Sequence, residues 1–529
     1  MKKLIRSEVF WIMTLAAILR LAFLAIKPPH FDEGVNGWFV DQIIKTGYFK
    51  YDPTNYHGPL YFYVLFIFQE LFGRNLWALR LPAVIASLLS VFWMFRFQDF
   101  FGRKCVAWAA LAMAVSPAFV FYGRYSIHES LLVFSTLLFA WGAIGLLMDG
   151  QRKYFLGAVL GFTGVFLTKE TWVIHAVSFL IALGCVQLWQ RVSPSTTPIP
   201  FARQQWTRQD ALRATWAVLL TIVFFYSGNF LRFDTLGGVG EAYFAWFKTG
   251  AGAGGHIKTD YQLGTLLHHW SQTHFSAYTK GEEPSWLRHL DWINFYWFYL
   301  IGRYEWPALI GLGVCVRLLW PAPATMRLMG IYGCGVVAAY SLIPYKTPWC
   351  IISLLWPFYF TFGYLMENLK KWKFVAPLAG LILLASLTWS IRLNFFHYAD
   401  RVEPYVYVQT DMEYKILTDP ILHLAATNPE NYALSGQIFL DSYYPLPWIF
   451  GDFTNIGYYK KVTDVVDGDF VVIESDKAKE VESKLNQPYY RREFLLRDAQ
   501  GKSTVYFRAA KFAKEFGSAK PEIAPPFKS

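Results

Sequence analysis

Apolar runs alternate with short polar loops along residues 9–391 of this chain. Several runs approach the roughly 20 residues that an α-helix needs to cross a hydrocarbon core about 30 Å thick. The pattern predicts an all-α polytopic membrane bundle with about eleven transmembrane helices. The predicted spans are 9–26, 77–97, 106–122, 131–148, 154–168, 171–189, 214–231, 306–319, 327–343, 349–366 and 374–391. The first run lacks a small-x-small cleavage site, so we expect it to remain as a helix.

Basic residues give the bundle an orientation. The aromatic run 60–73 is short for a span and carries Gln69 and Glu70, so we interpret it as a re-entrant or interfacial helix. With the N-terminus inside, five basic clusters then lie in cytoplasmic loops, as the positive-inside rule requires. The clusters are Arg96, Arg103 and Lys104; Arg152 and Lys153; Arg191, Arg203, Arg208 and Arg213; Arg317 and Arg327; Lys370, Lys371 and Lys373. We predict a multi-pass protein of the cytoplasmic membrane whose C-terminal part is extracytoplasmic.

The chain becomes polar after about residue 393. The stretches GQIFLDS, DFVVIES and STVYFRA have the composition of strands and are separated by turn residues and helical patterns. We therefore predict a transmembrane domain at 1–392, with a first outer loop at 28–76 and a long outer loop at 232–303. A small α/β or α+β extracytoplasmic domain is expected at 393–529.

Composition agrees with a membrane chain and excludes some functions. Of the 529 residues, 54% are apolar and 16% are charged, which is unusual for a soluble protein. The net charge of +11 comes from short clusters between apolar runs, so nucleic-acid binding is not indicated. The five cysteines lack CxxC spacing and indicate neither a disulfide framework nor a thiolate metal site.

An acidic pair begins the first outer loop. In PPHFDEGVNGWFVDQIIKTG, Asp32 and Glu33 precede apolar residues at four-residue spacing, and Gly47 ends the pattern. Such a helix lies in the membrane interface with the carboxylates at its start. Adjacent carboxylates there can act as a general base, a metal ligand or both. The alternative is that Asp32 caps the helix and Glu33 is solvated in the first turn.

Cationic candidates follow along the same outer side. His57 precedes Gly-Pro and can bind phosphate as a cation or a metal as a neutral imidazole, or it is an ordinary surface histidine. In FYGRYSIHES, Arg124 is suited to bidentate phosphate contact, with His128 and Glu129 within one or two helical turns. The alternative is an Arg that extends to the interface beside an ion pair.

Three further charged residues separate apolar runs on the predicted outer side. Lys169 and Glu170 lie in FLTKETW, and Lys346 lies in PYKTPW. Each lysine is either an interfacial anchor or part of a site. The long outer loop contains TGAGAGGH and four histidines, a composition typical of a lid, but these histidines lack metal-ligand spacing. They are His256, His268, His269 and His274.

The order of these motifs resembles the GT-C membrane glycosyltransferases of the dolichyl-phosphate-mannose protein mannosyltransferase type, which include the aminoarabinose transferases acting on lipid A. The shared features are the acidic pair, HGPL, LRLPAVI and RYSIHE, within about the first 190 residues. Farther on, PYKTPW, PYVYVQT and DSYYPLPWIFGDF are similar to the flippase-activity-associated subgroup. His57 stands where relatives often carry a Lys or a differently placed His, and Glu129 stands where Asp is usual.

The resemblance implies a hexosyltransferase-type enzyme that moves a sugar from a polyprenyl-phosphate carrier to an acceptor at the outer leaflet. Asp32 and Glu33 are then the catalytic candidates, with Asp32 as the base. The candidates for binding the donor phosphate are His57, Arg124, Lys169 and Lys346; other site candidates are His128, Glu129 and Glu170. If a divalent metal takes part, its candidate ligands are Asp32, Glu33, His57 and His128.

Two other functions stay open at this point. One is a flippase or transporter for the polyprenyl-linked sugar, which is expected to have charged or Gly/Pro-broken segments near mid-membrane in paired halves. The other is a non-catalytic assembly partner in surface glycosylation. The polar residues of this chain cluster at one predicted face, which favours the enzyme.

Overall fold

The computed structural model describes residues 7–55, 57–194, 197–250, 296–317, 321–343, 346–369, 373–400, 402–497 and 500–523. The chain divides into two compact units. The first contains Met1–Leu24, Gln42–Tyr398 and Glu403–Tyr405. The second contains Ala25–Asp41, Ala399–Val402 and Val406–Ser529.

Helices form the first unit. Helix α2 begins in the second unit and continues into the first. The helices up to the long outer loop are α1 Glu8–Leu21, α2 Phe31–Thr46, α3 Leu60–Phe72, α4 Leu76–Met94, α5 Gln98–Phe101, α6 Arg103–Val115, α7 Pro117–Tyr122, α8 Glu129–Met148, α9 Arg152–Thr168, α10 Trp172–Val192, α11 Arg208–Tyr226 and α12 Gly237–Gly250. Those after it are α13 Tyr296–Tyr304, α14 Trp306–Arg317, α15 Ala324–Leu342, α16 Ile351–Asn368 and α17 Val375–Ile391.

The chain is mostly helical, as the apolar pattern predicts, and each predicted span overlaps a helix. Five helical segments among the described residues are long and apolar enough to cross a membrane. They are Leu76–Phe101, Glu129–Met148, Trp172–Val192, Pro348–Asn368 and Val375–Phe396. The number of spans stays a prediction. Helix α3 has 13 residues and at 1.5 Å per residue is about 20 Å long, shorter than the hydrocarbon core.

One predicted span is not continuous. The run 106–122 consists of two helices, α6 and α7, separated at Ser116. Pro117 occupies the first turn of α7, and the Ser116 hydroxyl accepts the backbone N–H of Phe119 at 3.2 Å. Proline has no N–H to continue α6, and it restricts the residue before it to extended backbone. The expectation of a single helix here is therefore wrong.

A five-stranded mixed sheet organises the second unit. The strands are β1 Ser435–Phe439, β2 Asn455–Tyr458, β3 Phe470–Glu474, β4 Tyr489–Leu495 and β5 Lys502–Arg508, in the order β2-β1-β3-β5-β4. Strand β1 is parallel to β2 and β3, whereas β5 is antiparallel to β3 and β4. The three predicted strand stretches are β1, β3 and β5, so the small sheet domain is confirmed.

Four short helices complete the second unit: α18 Tyr414–Thr427, α19 Leu446–Ile449, α20 Ala478–Glu482 and α21 Ala509–Phe516. One face of the sheet packs against α18 and α21 through Leu417, Ile421 and Phe512, which are fully buried with Phe470 and Phe507. The burial of these apolar side chains stabilises the unit.

Candidate functional site

Helix α2 begins with two reciprocal hydrogen bonds between His30 and the residues that follow it. The backbone N–H of His30 donates to Oε2 of Glu33 at 2.9 Å. Nδ1 of His30 accepts the backbone N–H of Asp32 at 3.1 Å. This is the pattern of a capping box, with His in the place usually taken by Ser or Thr. These capping bonds are made by His30 and Glu33, and Glu33 is fully buried rather than solvated.

His30 was not among the predicted site residues. Its Nε2 lies 2.8 Å from the carbonyl oxygen of Tyr407. Since Nδ1 accepts a hydrogen bond, Nε2 carries the proton and donates. Burial lowers the pKa of His30, which agrees with a neutral ring. The spacing His-x-x-Glu before an apolar run was the signal in the sequence.

The segment DSYYPLPWIF packs on the helix that starts with the acidic pair, within the second unit. The Phe31 ring lies 5.5 Å from the Tyr444 ring, and the Arg497 guanidinium lies 4.5 Å from the centre of the Phe31 ring. Gly37 packs directly against the Trp448 side chain. A Cβ at this position would lie 2.2 Å from a carbon of the indole ring. The start of α2 is thus held by aromatic side chains of the C-terminal part of the chain.

Four predicted site residues come together in the first unit, and we call them the basic cluster: His57, His128, Glu129 and Lys169. The His57 and His128 rings lie 4.3 Å apart. The Lys169 ammonium donates to the Glu129 carboxylate in a buried ion pair. His128 also contacts the Tyr61 ring at 4.7 Å. A histidine pair therefore adjoins a buried ion pair.

Gly58 brings the HGPL motif against the end of α9. Its N–H donates to the carbonyl of Thr168 at 3.1 Å. A Cβ at Gly58 would lie 2.2 Å from the carbonyl oxygen of Leu167, so only glycine fits. This close approach places His57 beside the segment that carries Lys169.

The two buried bases of the cluster carry different charges. Burial lowers the pKa of His128 well below its usual value, and His57 and Lys169 add to this effect. Burial lowers the pKa of Lys169, but Glu129, together with Cys350 and Tyr340, outweighs that effect and the pKa is raised. Lys169 is therefore a cation balanced by Glu129, and His128 is neutral. Nε2 of His128 lacks a hydrogen-bond partner within the described part of the chain, so it can exchange a hydrogen bond with a ligand.

Arg124 binds backbone carbonyls of the first unit. Its two terminal nitrogens donate to the carbonyls of Leu19, Ala22 and Phe23 at 2.7 to 2.8 Å. The guanidinium also lies 4.8 Å from the Phe395 ring centre. A cation that binds the last carbonyls of α1 stabilises the end of that helix. Its predicted contact with phosphate stays a prediction.

Lys346 closes the end of another helix. Its ammonium donates to the carbonyls of Tyr340, Ser341 and Ile343 at the end of α15. Burial lowers the pKa of Lys346 to about 8. The preceding Pro344 and Tyr345 lie outside the described residues, as do the four histidines of the long outer loop. Lys346 thus binds the carbonyls at the end of α15, and its predicted contact with the donor phosphate stays a prediction.

The described residues give little support to a metal centre. Within the described ranges, groups of three or more His, Cys, Asp or Glu side chains arranged to hold a metal do not occur. Of the candidate ligands, Glu33 accepts the N–H of His30. The predicted metal role of Asp32, Glu33, His57 and His128 stays a prediction.

Residues 56–204 match the family model described as dolichyl-phosphate-mannose-protein mannosyltransferase. That segment contains the basic cluster, Arg124 and Glu170. The chain resembles the GT-C membrane glycosyltransferases. This confirms the resemblance expected from the order of motifs, whereas the flippase-associated subgroup stays a prediction.

Relatives of this chain include YycA of Bacillus subtilis (strain 168), described as a putative mannosyltransferase. It is 29% identical over 116 residues, which are 21% of this chain. The match covers 17% of the length of YycA. The shared part is therefore a segment, and the activity of the whole protein is a matter for proposal.

Two solved structures have a similar fold. ArnT from Cupriavidus metallidurans bound to undecaprenyl phosphate has a TM-score of 0.55 and 13% identity, covering 94% of this chain and 97% of that one. The apo oligosaccharyltransferase of Archaeoglobus fulgidus has a TM-score of 0.50 and 12% identity, covering 92% of this chain and 69% of that one. The GT-C-like fold is thereby established, and with its long apolar helices the chain is a membrane protein.

Proposed function

We propose that this chain is a membrane glycosyltransferase that moves a sugar from a polyprenyl-phosphate carrier to an acceptor at the outer face of the membrane. The observation that carries the proposal is the basic cluster. It lies within the segment that matches the mannosyltransferase family, and it joins a buried cation to a neutral histidine whose Nε2 lacks a partner among the described residues.

The basic cluster has the chemistry needed for a phosphate leaving group. When the bond between sugar and phosphate breaks, negative charge develops on the phosphate oxygen. Lys169 supplies a fixed positive charge, and Glu129 keeps it ionised where burial alone would favour the neutral amine. His128 and the half-buried His57 supply ring nitrogens for the phosphate oxygens. The undecaprenyl phosphate in the ArnT structure supports a carrier of this class.

Asp32 is the proposed base. The acceptor hydroxyl gives its proton to the Asp32 carboxylate while its oxygen forms a bond to the anomeric carbon of the sugar. The bond from that carbon to the phosphate oxygen breaks, and polyprenyl phosphate leaves. The start of α2 supports this role, because the helix begins at Phe31 and the capping bonds are made by His30 and Glu33, which places Asp32 inside the first turn and not at the N-cap.

The test uses full-length protein in liposomes that contain polyprenyl-phosphate [14C]mannose, with membranes of a deletion strain as the source of acceptor. We expect label to pass to an acceptor with the wild type and to stay on the lipid with Asp32→Asn and with Lys169→Met. Lys153→Met, at an exposed lysine of α9, is the control and should transfer normally.

Two results would overturn the proposal. Movement of intact donor lipid across the bilayer without cleavage, unaffected by Asp32→Asn, would indicate a flippase. Undiminished transfer by Asp32→Asn, dependent instead on a co-purifying enzyme, would indicate an assembly partner.

A further inference from the structure

Two buried polar groups near the basic cluster lack partners within the residues that the structure describes. They are Oε2 of Glu170 and the hydroxyl of Tyr51. The two residues are only 2% and 3% exposed. An unsatisfied buried group costs about 1 to 3 kcal/mol, so native proteins normally provide such groups with a ligand or an ordered water. Both groups are therefore places where a polar ligand can bind.

Glu170 and Tyr51 lie within electrostatic range of each other. Burial, and after it the charge of Glu170, raises the pKa of Tyr51. The same carboxyl acts on Tyr243 of α12, whose pKa burial raises to about 12. Lys169 opposes the effect of burial on Glu170. The unpartnered carboxyl thus lies within electrostatic reach of both tyrosines and of the cation in the basic cluster.

Aromatic rings lie against Tyr51 and in the segments on either side of Glu170. The Tyr51 ring lies 4.7 Å from that of Tyr226, nearly perpendicular to it. The indole N–H of Trp172 donates to the Tyr243 hydroxyl at 2.6 Å. Phe166 lies 5.9 Å from Trp172 and 6.1 Å from Tyr226. These rings come from five separate segments of the first unit, so it is the fold that brings them together.

Glu170 is suited to bind a neutral polar ligand. Burial raises its pKa to about 7, so a large fraction is carboxylic acid at neutral pH. A carboxylic acid both donates and accepts hydrogen bonds, as does the Tyr51 hydroxyl. A ligand rich in hydroxyl groups can exchange bonds with them in both directions, while aromatic rings pack on its C–H faces.

We infer that Glu170 and Tyr51, with Tyr226, Tyr243 and Trp172 around them, bind the sugar ring of the donor lipid. The inference rests on the proposed function, because it takes Lys169 as the phosphate-binding residue. Lys169 and Glu170 are consecutive, so a sugar attached to that phosphate would be within reach of Glu170. A buried water is the other occupant to be tested.

The experiment compares two lipids, undecaprenyl phosphate and undecaprenyl-phosphate mannose, binding to full-length protein in detergent. We expect the wild type to prefer the mannosylated lipid. Tyr51→Phe and Glu170→Ala should each reduce that preference about tenfold, equivalent to about 1.4 kcal/mol, while binding of undecaprenyl phosphate stays unchanged. Glu170→Gln keeps a donor and an acceptor and should retain most of the preference. Tyr432→Phe, at an exposed tyrosine of the second unit, is the control.

The outcomes separate this inference from the proposed function. If the wild-type protein binds neither lipid, the proposed function itself is wrong. Wild-type preference that survives both Tyr51→Phe and Glu170→Ala would leave the proposed function standing and overturn the sugar site, with a structural water as the occupant. Equal loss of both lipids would show that the two residues act on folding rather than on the sugar.

Discussion

The Glu33 carboxylate accepts the backbone N–H of His30 at 2.9 Å. Nδ1 of His30 in turn accepts the N–H of Asp32. The first turn of α2 is therefore capped by His30 and Glu33. A carboxylate at a helix N-terminus is a common cap, and that was the alternative to a catalytic Asp32. Because His30 and Glu33 make the capping bonds, the two functions of the acidic pair can be separated by mutation.

Asp32→Asn should leave thermal stability close to that of the wild type and reduce sugar transfer by roughly 100-fold to 10,000-fold, as expected for loss of a general base. Asn cannot take a proton, and the capping bonds do not use the Asp32 side chain, since His30 and Glu33 accept them. Glu33→Gln should keep the capping box, since Gln also occurs at that position, whereas Glu33→Ala should cost about 1 kcal/mol of stability. Melting curves and transfer rates of the three variants test this. Normal transfer by Asp32→Asn would rule out the base.

Gly37→Ala should reduce sugar transfer by displacing the start of α2 from Trp448. An added Cβ would lie 2.2 Å from the indole ring, and such overpacking typically costs about 1 to 3 kcal/mol. Gly184→Ala is the control, because a Cβ there meets nothing within 4 Å. Gly37→Ala with Trp448→Leu should recover part of the loss. Equal transfer rates for Gly37→Ala and Gly184→Ala would show that this contact does not position the acidic pair.

Much of the fold could be predicted because long apolar runs in a membrane chain form helices. The run 106–122 was misread because hydropathy counts apolar residues and does not register that Pro117 ends hydrogen bonding from α6. The sequence identified each residue of the basic cluster separately as a site candidate. Its pairing of Lys169 with Glu129 joins two residues 40 positions apart in sequence, and a single sequence does not show such a contact. The carbonyls that accept hydrogen bonds from Arg124 are about 100 residues away in sequence, so they could not be predicted from the sequence either.

Arg124→Lys should destabilise the protein more than it weakens donor binding. The guanidinium reaches three carbonyls near the end of α1, and the single ammonium of Lys cannot reproduce that geometry. Loss of one or two such bonds costs about 1 to 3 kcal/mol. Arg152→Lys, at a largely exposed arginine, is the control for thermal unfolding. An unchanged melting temperature with a marked loss of donor affinity would instead support bidentate phosphate contact.

The topology can be tested with single cysteines in a cysteine-free chain. The positions of the basic clusters predict that 200 and 372 are cytoplasmic, whereas 55, 260 and 430 are extracytoplasmic. An impermeant maleimide added to intact cells should therefore label the second group and not the first. Permeabilised cells provide the control, because all five positions should then react. Labelling at 372 but not at 430 would contradict an arrangement of eleven spans.

Glu170 should make the stability of the protein depend on pH. Burial raises its pKa from about 4.5 to about 7, so between these values the folded protein binds a proton that the unfolded chain has released. The contribution of Glu170 to the free energy of unfolding is therefore fully present below pH 4.5 and is lost as the pH rises from 4.5 through 7. For a pKa shift of this size the free energy of unfolding falls by about 3 kcal/mol. Glu170→Gln should remove that loss, although Lys169, Tyr51 and Tyr243 remain around the site. The measurement is the difference in melting temperature between pH 5 and pH 8 in detergent. Glu241→Gln, at an exposed residue of α12, should keep the wild-type slope, and an unchanged slope in Glu170→Gln would mean that Glu170 is already ionised at low pH.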